Sequence, residues 1–235
     1  MSWVRSVSAE EFTVAGDGEP SVVLLPGWAT DGRIFGGVLP GMTAVTSGAL
    51  RPEGFSRRLA AFLDRTSRGP VTVAGWSLGG FLAAEFARAY PDRVRHLVLV
   101  GIRRRYPAPE VEKVRESLLR DRQGCLSGFY AQCFYPSQMA EYRRFRSSLQ
   151  KEYLREMDGA VLLEGLSYLS SALLAADRFP PCPVTILHGG RDAVAPPAEA
   201  EEIAGESGRA SFRLLAGAGH AAFLAEGFET AVADG

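Results

Sequence analysis

The stretch VAGWSLGGF, residues 73–81, decides the fold. It places Ser77 two residues after Gly75 and two before Gly79, directly behind the β-branched run VTVA. A G-x-S-x-G motif between a strand and a helix is a nucleophile elbow: the serine occupies a strained turn and its hydroxyl points clear of the sheet. The flanking glycines are required because backbone and helix pass too close for a Cβ. Downstream, LGGFLAAEFARAY repeats Leu, Phe and Ala at helical spacing, and YPD (90–92) ends the run.

The alternation of strand and helix extends outward from this point. Apolar runs ending at glycine recur at SVVLLPG (21–27), VTVAG (71–75), VRHLVLVG (94–101) and PVTILHGG (183–190). Continuous runs of this kind predict strands buried on both faces of a parallel sheet. FSRRLAAFLDRTSRG (55–69) predicts an amphipathic helix closed by Gly69. Residues 3–14 predict one or two antiparallel edge strands. From 103 to 178 the strand pattern disappears, and helices are predicted over 108–122, 126–134, 137–157 and 160–177. The expected class is therefore α/β, a mostly parallel sheet flanked by helices, with an all-helical cap inserted after the strand ending near Gly101. The core comprises 1–102 and 179–235, and the cap comprises 103–178. The apolar content of the cap excludes a disordered linker.

A chain of 235 residues suits one large core. The net charge of −1 supplies no field toward nucleic acid or a membrane. No run of about 18 apolar residues predicts a transmembrane helix. The opening MSWVRSVSAEEF lacks the apolar core of a signal peptide, so a cytoplasmic location is expected. Cys125, Cys133 and Cys182 have no metal-type spacing and are expected to be free, buried thiols. H-E-x-x-H, Cys/His clusters and the glycine motifs of nucleotide sites are all missing, so no metal and no cofactor are expected.

A serine nucleophile needs a base, and the base needs an orienting acid. Behind an elbow of this type the chain order is serine, acid, histidine. His96 precedes the expected acid and His188 ends a strand. Only His220, in GAGHAAF, follows every candidate acid in a loop. Asp192, in ILHGGRDAVAP, lies just past a strand end, whereas the other acid position, after Gly101, reads GIRRRYP and has no carboxylate. The tetrahedral intermediate needs two backbone donors. One is the N–H of Leu78, after the serine, and the other belongs to the loop LLPGWATDG (24–32). There Gly27 lets the backbone turn, Trp28 offers its N–H, and the Trp28 indole can wall an acyl pocket.

On these residues the sequence resembles the α/β-hydrolase superfamily over nearly its whole length. Within it, the sequence resembles the pimeloyl-[acyl-carrier-protein] methyl ester esterase family of biotin synthesis. The likeness is carried by GWSLGG (75–80), LLPGWATDG, GHAAF (219–223) and LLEGLSYLSSALLAADRF (162–179). Pro26-Gly27 stands where that family has His-Gly, and 41–56 lacks its D-x-x-G-x-G-x-S loop. The resemblance implies a carboxylic ester hydrolase with the triad Ser77, Asp192 and His220, oxyanion donors Trp28 and Leu78, and Phe129 lining an acyl channel. It also implies cap arginines that bind an acidic acyl carrier protein. Residues 103–155 hold 12 basic and 6 acidic side chains, and Arg143, Arg144, Arg146 and Arg155 are assigned to that docking patch. The same triad serves a thioesterase or a small-ester carboxylesterase, and a ligand-binding receptor of this fold would keep the pocket without turnover.

Overall fold

A computed structural model describes residues 11–233. The part of the expected N-terminal edge that falls on residues 3–10 lies outside the described residues. Seven strands form one sheet: β1 (Phe12–Ala15), β2 (Val22–Leu25), β3 (Ala44–Ser47), β4 (Val71–Trp76), β5 (Val94–Val100), β6 (Val184–Gly189) and β7 (Ala210–Leu215). Their order is β1-β3-β2-β4-β5-β6-β7. Only β1 runs antiparallel to its neighbour, and the other pairings are parallel. The expected α/β class and mostly parallel sheet are therefore present.

The four apolar runs are the interior strands β2, β4, β5 and β6, buried along nearly their whole length. A strand covered by helices on both faces has no solvent side to mark with polar residues. The edges read differently. Strand β7, ASFRLL, is half exposed along its length, and β1 turns Val14 and Ala15 to solvent.

Helix α1 (Phe55–Thr66) ends one turn earlier than expected, with the Ser67 N–H donating to the Leu63 carbonyl. Helix α2 (Leu78–Ala89) is buried on almost every side, which explains its Ala, Gly and Phe content. Between β5 and β6 the chain is helical: α3 (Ala108–Arg120), α4 (Arg122–Phe134), α5 (Met139–Phe145), a π-helical segment (Arg146–Gln150), α6 (Lys151–Glu156) and α7 (Gly159–Leu169). The expected helix over 160–177 stops at Leu169, and the Leu174 N–H then donates to the Arg104 carbonyl at 2.9 Å, bringing the chain back to the core. Helices α8 (Pro197–Ser207) and α9 (Phe228–Ala233) complete the described chain.

The chain leaves β2 toward β3 on one side and leaves β4 toward β5 on the other. That reversal opens a crevice beyond the C-terminal strand ends, where ligands bind in sheets of this type. Packing is tight at the same point. A Cβ on Gly79 would lie 2.5 Å from the Pro26 carbonyl oxygen, so α2 touches the backbone after β2. Gly79→Ala should destabilise the fold by about 3 kcal/mol, lowering the thermal midpoint by roughly 6–12 °C. A midpoint unchanged in a melting scan would contradict this packing.

Candidate active site

Ser77 is the residue between β4 and α2, with φ +53° and ψ −120°. This conformation is strained for a residue with a Cβ and persists only where the surroundings over-determine it. They do so here. The Ser77 N–H donates to the Val100 carbonyl at 2.9 Å, and its own carbonyl accepts from the Gly80 N–H at 2.8 Å. On Gly75 a Cβ would come within 2.7 Å of the Gly80 nitrogen, so strand and helix meet too tightly for any other residue.

Asp192 lies in the turn after β6. Its Oδ1 accepts from the Val194 and Ala195 N–H groups, both at 2.8 Å, and its Oδ2 lies 2.8 Å from Nδ1 of His220. Burial pushes this carboxyl up. The charge and hydrogen bond of His220, the Ala195 N–H and the charge of His188 outweigh burial, and its pKa falls below the ordinary carboxylate value. Asp192 thus stays ionised and can only accept, which places the His220 proton on Nδ1. The Nε2 of His220 is left as the basic atom. It is buried and has no hydrogen-bond partner among the described residues.

The His220 carbonyl accepts from the Trp76 indole N–H at 2.8 Å, so the residue preceding the serine holds the loop of the histidine. Gly101, at φ +58°, lies against the same residue, and a Cβ there would be 3.2 Å from Nδ1. Asp192 and His220 are therefore joined directly. Ser77 and His220 meet the same strand end, through Val100 and Gly101, without a mutual hydrogen bond. Instead the Ser77 Oγ lies 3.3 Å from the Tyr106 hydroxyl. Such serine–histidine bonds commonly tighten only when substrate is bound.

Trp28 is buried after β2. Its indole N–H donates to the Leu162 carbonyl of α7 at 2.9 Å, and its ring meets Phe129 edge-on at 4.9 Å. The two aromatics singled out from the sequence are thus in contact. Leu78 opens α2, so its N–H is one of the donors that a helix start leaves without an intrahelical acceptor. Ala29, at φ +59°, strains the same loop, and its carbonyl accepts from the Tyr130 hydroxyl of α4 at 2.7 Å.

His188 is fully buried, with Nε2 3.0 Å from the Ile102 carbonyl. Burial lowers its pKa, against the opposing charge of Asp192, so it serves as a neutral tie between β6 and the exit of β5. Arg143, Arg144, Arg146 and Arg155 are exposed on the cap. Arg144 pairs with Glu141, Arg155 pairs with Glu156, and Arg146 covers the Tyr142 ring. Arg144 also lines a cavity of about 440 Å³ floored by Phe134, Phe145, Phe223 and Phe228, in which Ser77 takes no part. Of the cysteines, Cys133 is buried, and Cys125 and Cys182 are half-buried rather than buried.

Tyr106 and Arg33 escaped sequence reading. Tyr106 belongs to GIRRRYP, a segment notable in the sequence only for its lack of a carboxylate. Burial pushes its phenol up, against the Ser77 hydrogen bond, so it stays protonated beside the Oγ. Arg33 sits inside a cluster with Asp31, Glu152 and Glu156 at 2.8, 2.8 and 3.0 Å, under the Tyr153 ring, and joins the loop after β2 to α6. Neither role has a local motif.

Among the described residues, no group of three or more His, Cys, Asp or Glu could hold a metal, and no helix is long and apolar enough to cross a membrane. Residues 22–233 match the family model described as Alpha/beta hydrolase family. The chain belongs to the alpha/beta hydrolase family. A pimeloyl-[acyl-carrier protein] methyl ester esterase of Methylococcus capsulatus is 33% identical, over 90% of this chain and 92% of the relative. One of Nitrosomonas europaea is 30% identical, over 87% and 90%. Among solved structures, a hydrolase from Pseudomonas aeruginosa PA01 superposes with a TM-score of 0.81 at 20% identity, over 95% of this chain and 92% of that one. The enol-lactonase of Burkholderia xenovorans LB400 gives 0.79 at 17%, over 95% and 94%. These two likenesses speak to the fold alone.

The lowered pKa of His188 has a consequence for stability. The folded state takes up this proton at lower pH than the unfolded chain, whose ordinary value is 6.5. The contribution is therefore complete above that value and is lost as pH falls through the lower folded one. The thermal midpoint should drop as pH falls below about 6.5, and His188→Gln should flatten that slope. Equal slopes in the two proteins would contradict the assignment.

Proposed function

We propose that the chain is a serine carboxylesterase and that its substrate is the methyl ester of a pimeloyl group carried on acyl carrier protein. One observation carries the chemistry: a strained serine stands at the strand end that also seats a histidine whose Nδ1 is committed to a buried carboxylate, leaving Nε2 to accept a proton.

In this reading Nε2 of His220 takes the Ser77 proton as Oγ attacks the ester carbonyl. The N–H groups of Trp28 and Leu78 hold the oxyanion, and Asp192 stabilises the imidazolium. The imidazolium gives its proton to the departing oxygen, and methanol leaves. Water then attacks the acyl-enzyme, loses a proton to Nε2, and releases the acid as Ser77 regains its hydrogen.

Support for the substrate comes from three sides. Relatives named for this ester align over most of the chain at 30% and 33% identity. The Trp28–Phe129 contact supplies an apolar wall for an acyl chain. Four exposed cap arginines complement an acidic carrier.

Methanol release from pimeloyl-carrier methyl ester is the test, beside p-nitrophenyl butyrate and the Ser77→Ala variant. Wild type should release methanol far faster than it turns over the small ester, and Ser77→Ala should do neither. Turnover of the small ester alone would remove the carrier-bound substrate. Replacing Arg143, Arg144 and Arg146 by Gln should raise KM for the carrier-bound ester about tenfold or more and leave the small ester unchanged. Equal losses on both would contradict docking at this patch.

A further inference from the structure

The cap reaches the loop of His220 through one side chain. Gln138 lies in the link between α4 and α5 and is 5% exposed. Its Oε1 accepts from the Gly219 N–H at 2.9 Å, and its Nε2 donates to the Ala221 carbonyl at 2.9 Å. The amide therefore grips the backbone on both sides of His220. A donor is required at one end and an acceptor at the other, so a single amide orientation satisfies both. Glutamine carries that pair as a neutral group at any pH, whereas a glutamate does so only when protonated. The cap adds a third bond: the Ala221 N–H donates to the Cys133 carbonyl at 3.1 Å, an acceptor left open at the end of α4.

Gln138 is itself held. Its N–H donates to the Phe134 carbonyl at 2.8 Å, and its carbonyl accepts from the Tyr142 N–H at 2.9 Å. The approach is also tight, since a Cβ on Gly219 would lie 3.2 Å from both the Cys133 carbonyl oxygen and the Gln138 Oε1. On the core side, the loop is fixed by the Trp76 indole at the His220 carbonyl and by Asp192 at the ring. Three consecutive residues are thus clamped from two directions, by three hydrogen bonds from the cap and two from the core.

We propose that Gln138 is a positioning residue that sets the orientation of the His220 imidazole, so that the cap forms part of the mount of the catalytic base. This rests on the reading of His220 as the base of Ser77. A ring displaced by about 1 Å costs on the order of 10²-fold in rate. The loss falls on kcat, because Gln138 spends both polar atoms on the His220 loop and keeps none for substrate.

Four variants test this on p-nitrophenyl butyrate, each checked for a cooperative melt. Gln138→Met, which keeps the length and loses both polar atoms, should lower kcat about 10²-fold and keep KM within about threefold. Gln138→Glu keeps an acceptor for the Gly219 N–H, but its ionised form faces the Ala221 carbonyl. Its kcat relative to wild type should therefore fall as pH rises, a trend that a structural defect would not give and that decides the matter if Gln138→Met does not fold. Leu118→Ala loosens the interior of the cap away from this loop, and should lose stability while keeping kcat within about threefold. His220→Ala should be inactive; if it turns over, the reading of His220 itself falls, whatever Gln138 does. With His220→Ala inactive, the positioning role is overturned by a folded Gln138→Met with wild-type kcat. It is equally overturned by a loss confined to KM, by a pH-independent Gln138→Glu ratio, or by an equal kcat loss in Leu118→Ala.

Discussion

Helix α2 leaves the sheet through a gap too narrow for a side chain. The positions of Gly75 and Gly79 are closed to any Cβ by the backbone of α2 and of the segment after β2. The turn between them has no room to relax, and Ser77 is held at φ +53°. A backbone of this kind costs about 1–3 kcal/mol. That cost is offset by the burial of β4, which is buried at every position, and of α2, which is buried along most of its length. Strain at the serine is therefore a product of close packing in the core, and the hydroxyl is presented by a buried strand and helix.

The remaining groups are arranged around that point by the sheet. Loops leaving β2, β4, β5, β6 and β7 at their C-terminal ends supply Trp28, Ser77, Gly101, Asp192 and His220. Trp76 links several of them: its ring leaves no room for a Cβ on Gly27, and its indole N–H holds the His220 carbonyl. The helices between β5 and β6 then fasten the loops from above. Leu162 takes the Trp28 indole, Tyr130 holds the Ala29 carbonyl, Tyr153 donates to Asp31, and Gln138 grips Gly219 and Ala221. Half-buried ion clusters such as that of Arg33 contribute little net stability, because desolvation offsets attraction. Their consequence is geometric, since breaking one partner leaves the others uncompensated.

Legibility in the sequence followed burial and chain locality. Strands β2, β4, β5 and β6 were readable because both of their faces are covered and most of their positions are apolar, with Thr72, Arg95, His96, Thr185 and His188 as the polar interruptions. Strand β7 was not, since an edge strand mixes Ser, Phe and Arg according to a neighbourhood that only the fold defines. Strand β3 is four residues long and carries two threonine- or serine-type positions, too short for a period to register. The same divide separates the site residues. Ser77, Asp192 and His220 each sit in a local glycine or proline context that marks a loop at a strand end. Tyr106, Gln138 and Arg33 act on partners 29, 81 and 119 residues away, and no window of sequence contains both sides of those contacts.

The central claim is that the elbow strain and the Asp192–His220 pair together make Ser77 the reactive group. Mass-spectrometric mapping of the protein after treatment with a p-nitrophenyl alkylphosphonate tests it most directly, because phosphonylation reports nucleophile activation without any assumption about the natural ester. The account predicts a single adduct, on the peptide carrying Ser77, formed with release of one p-nitrophenol and nearly abolished in His220→Ala. An adduct on another residue, or labelling of Ser77 at the same rate without His220, would contradict it.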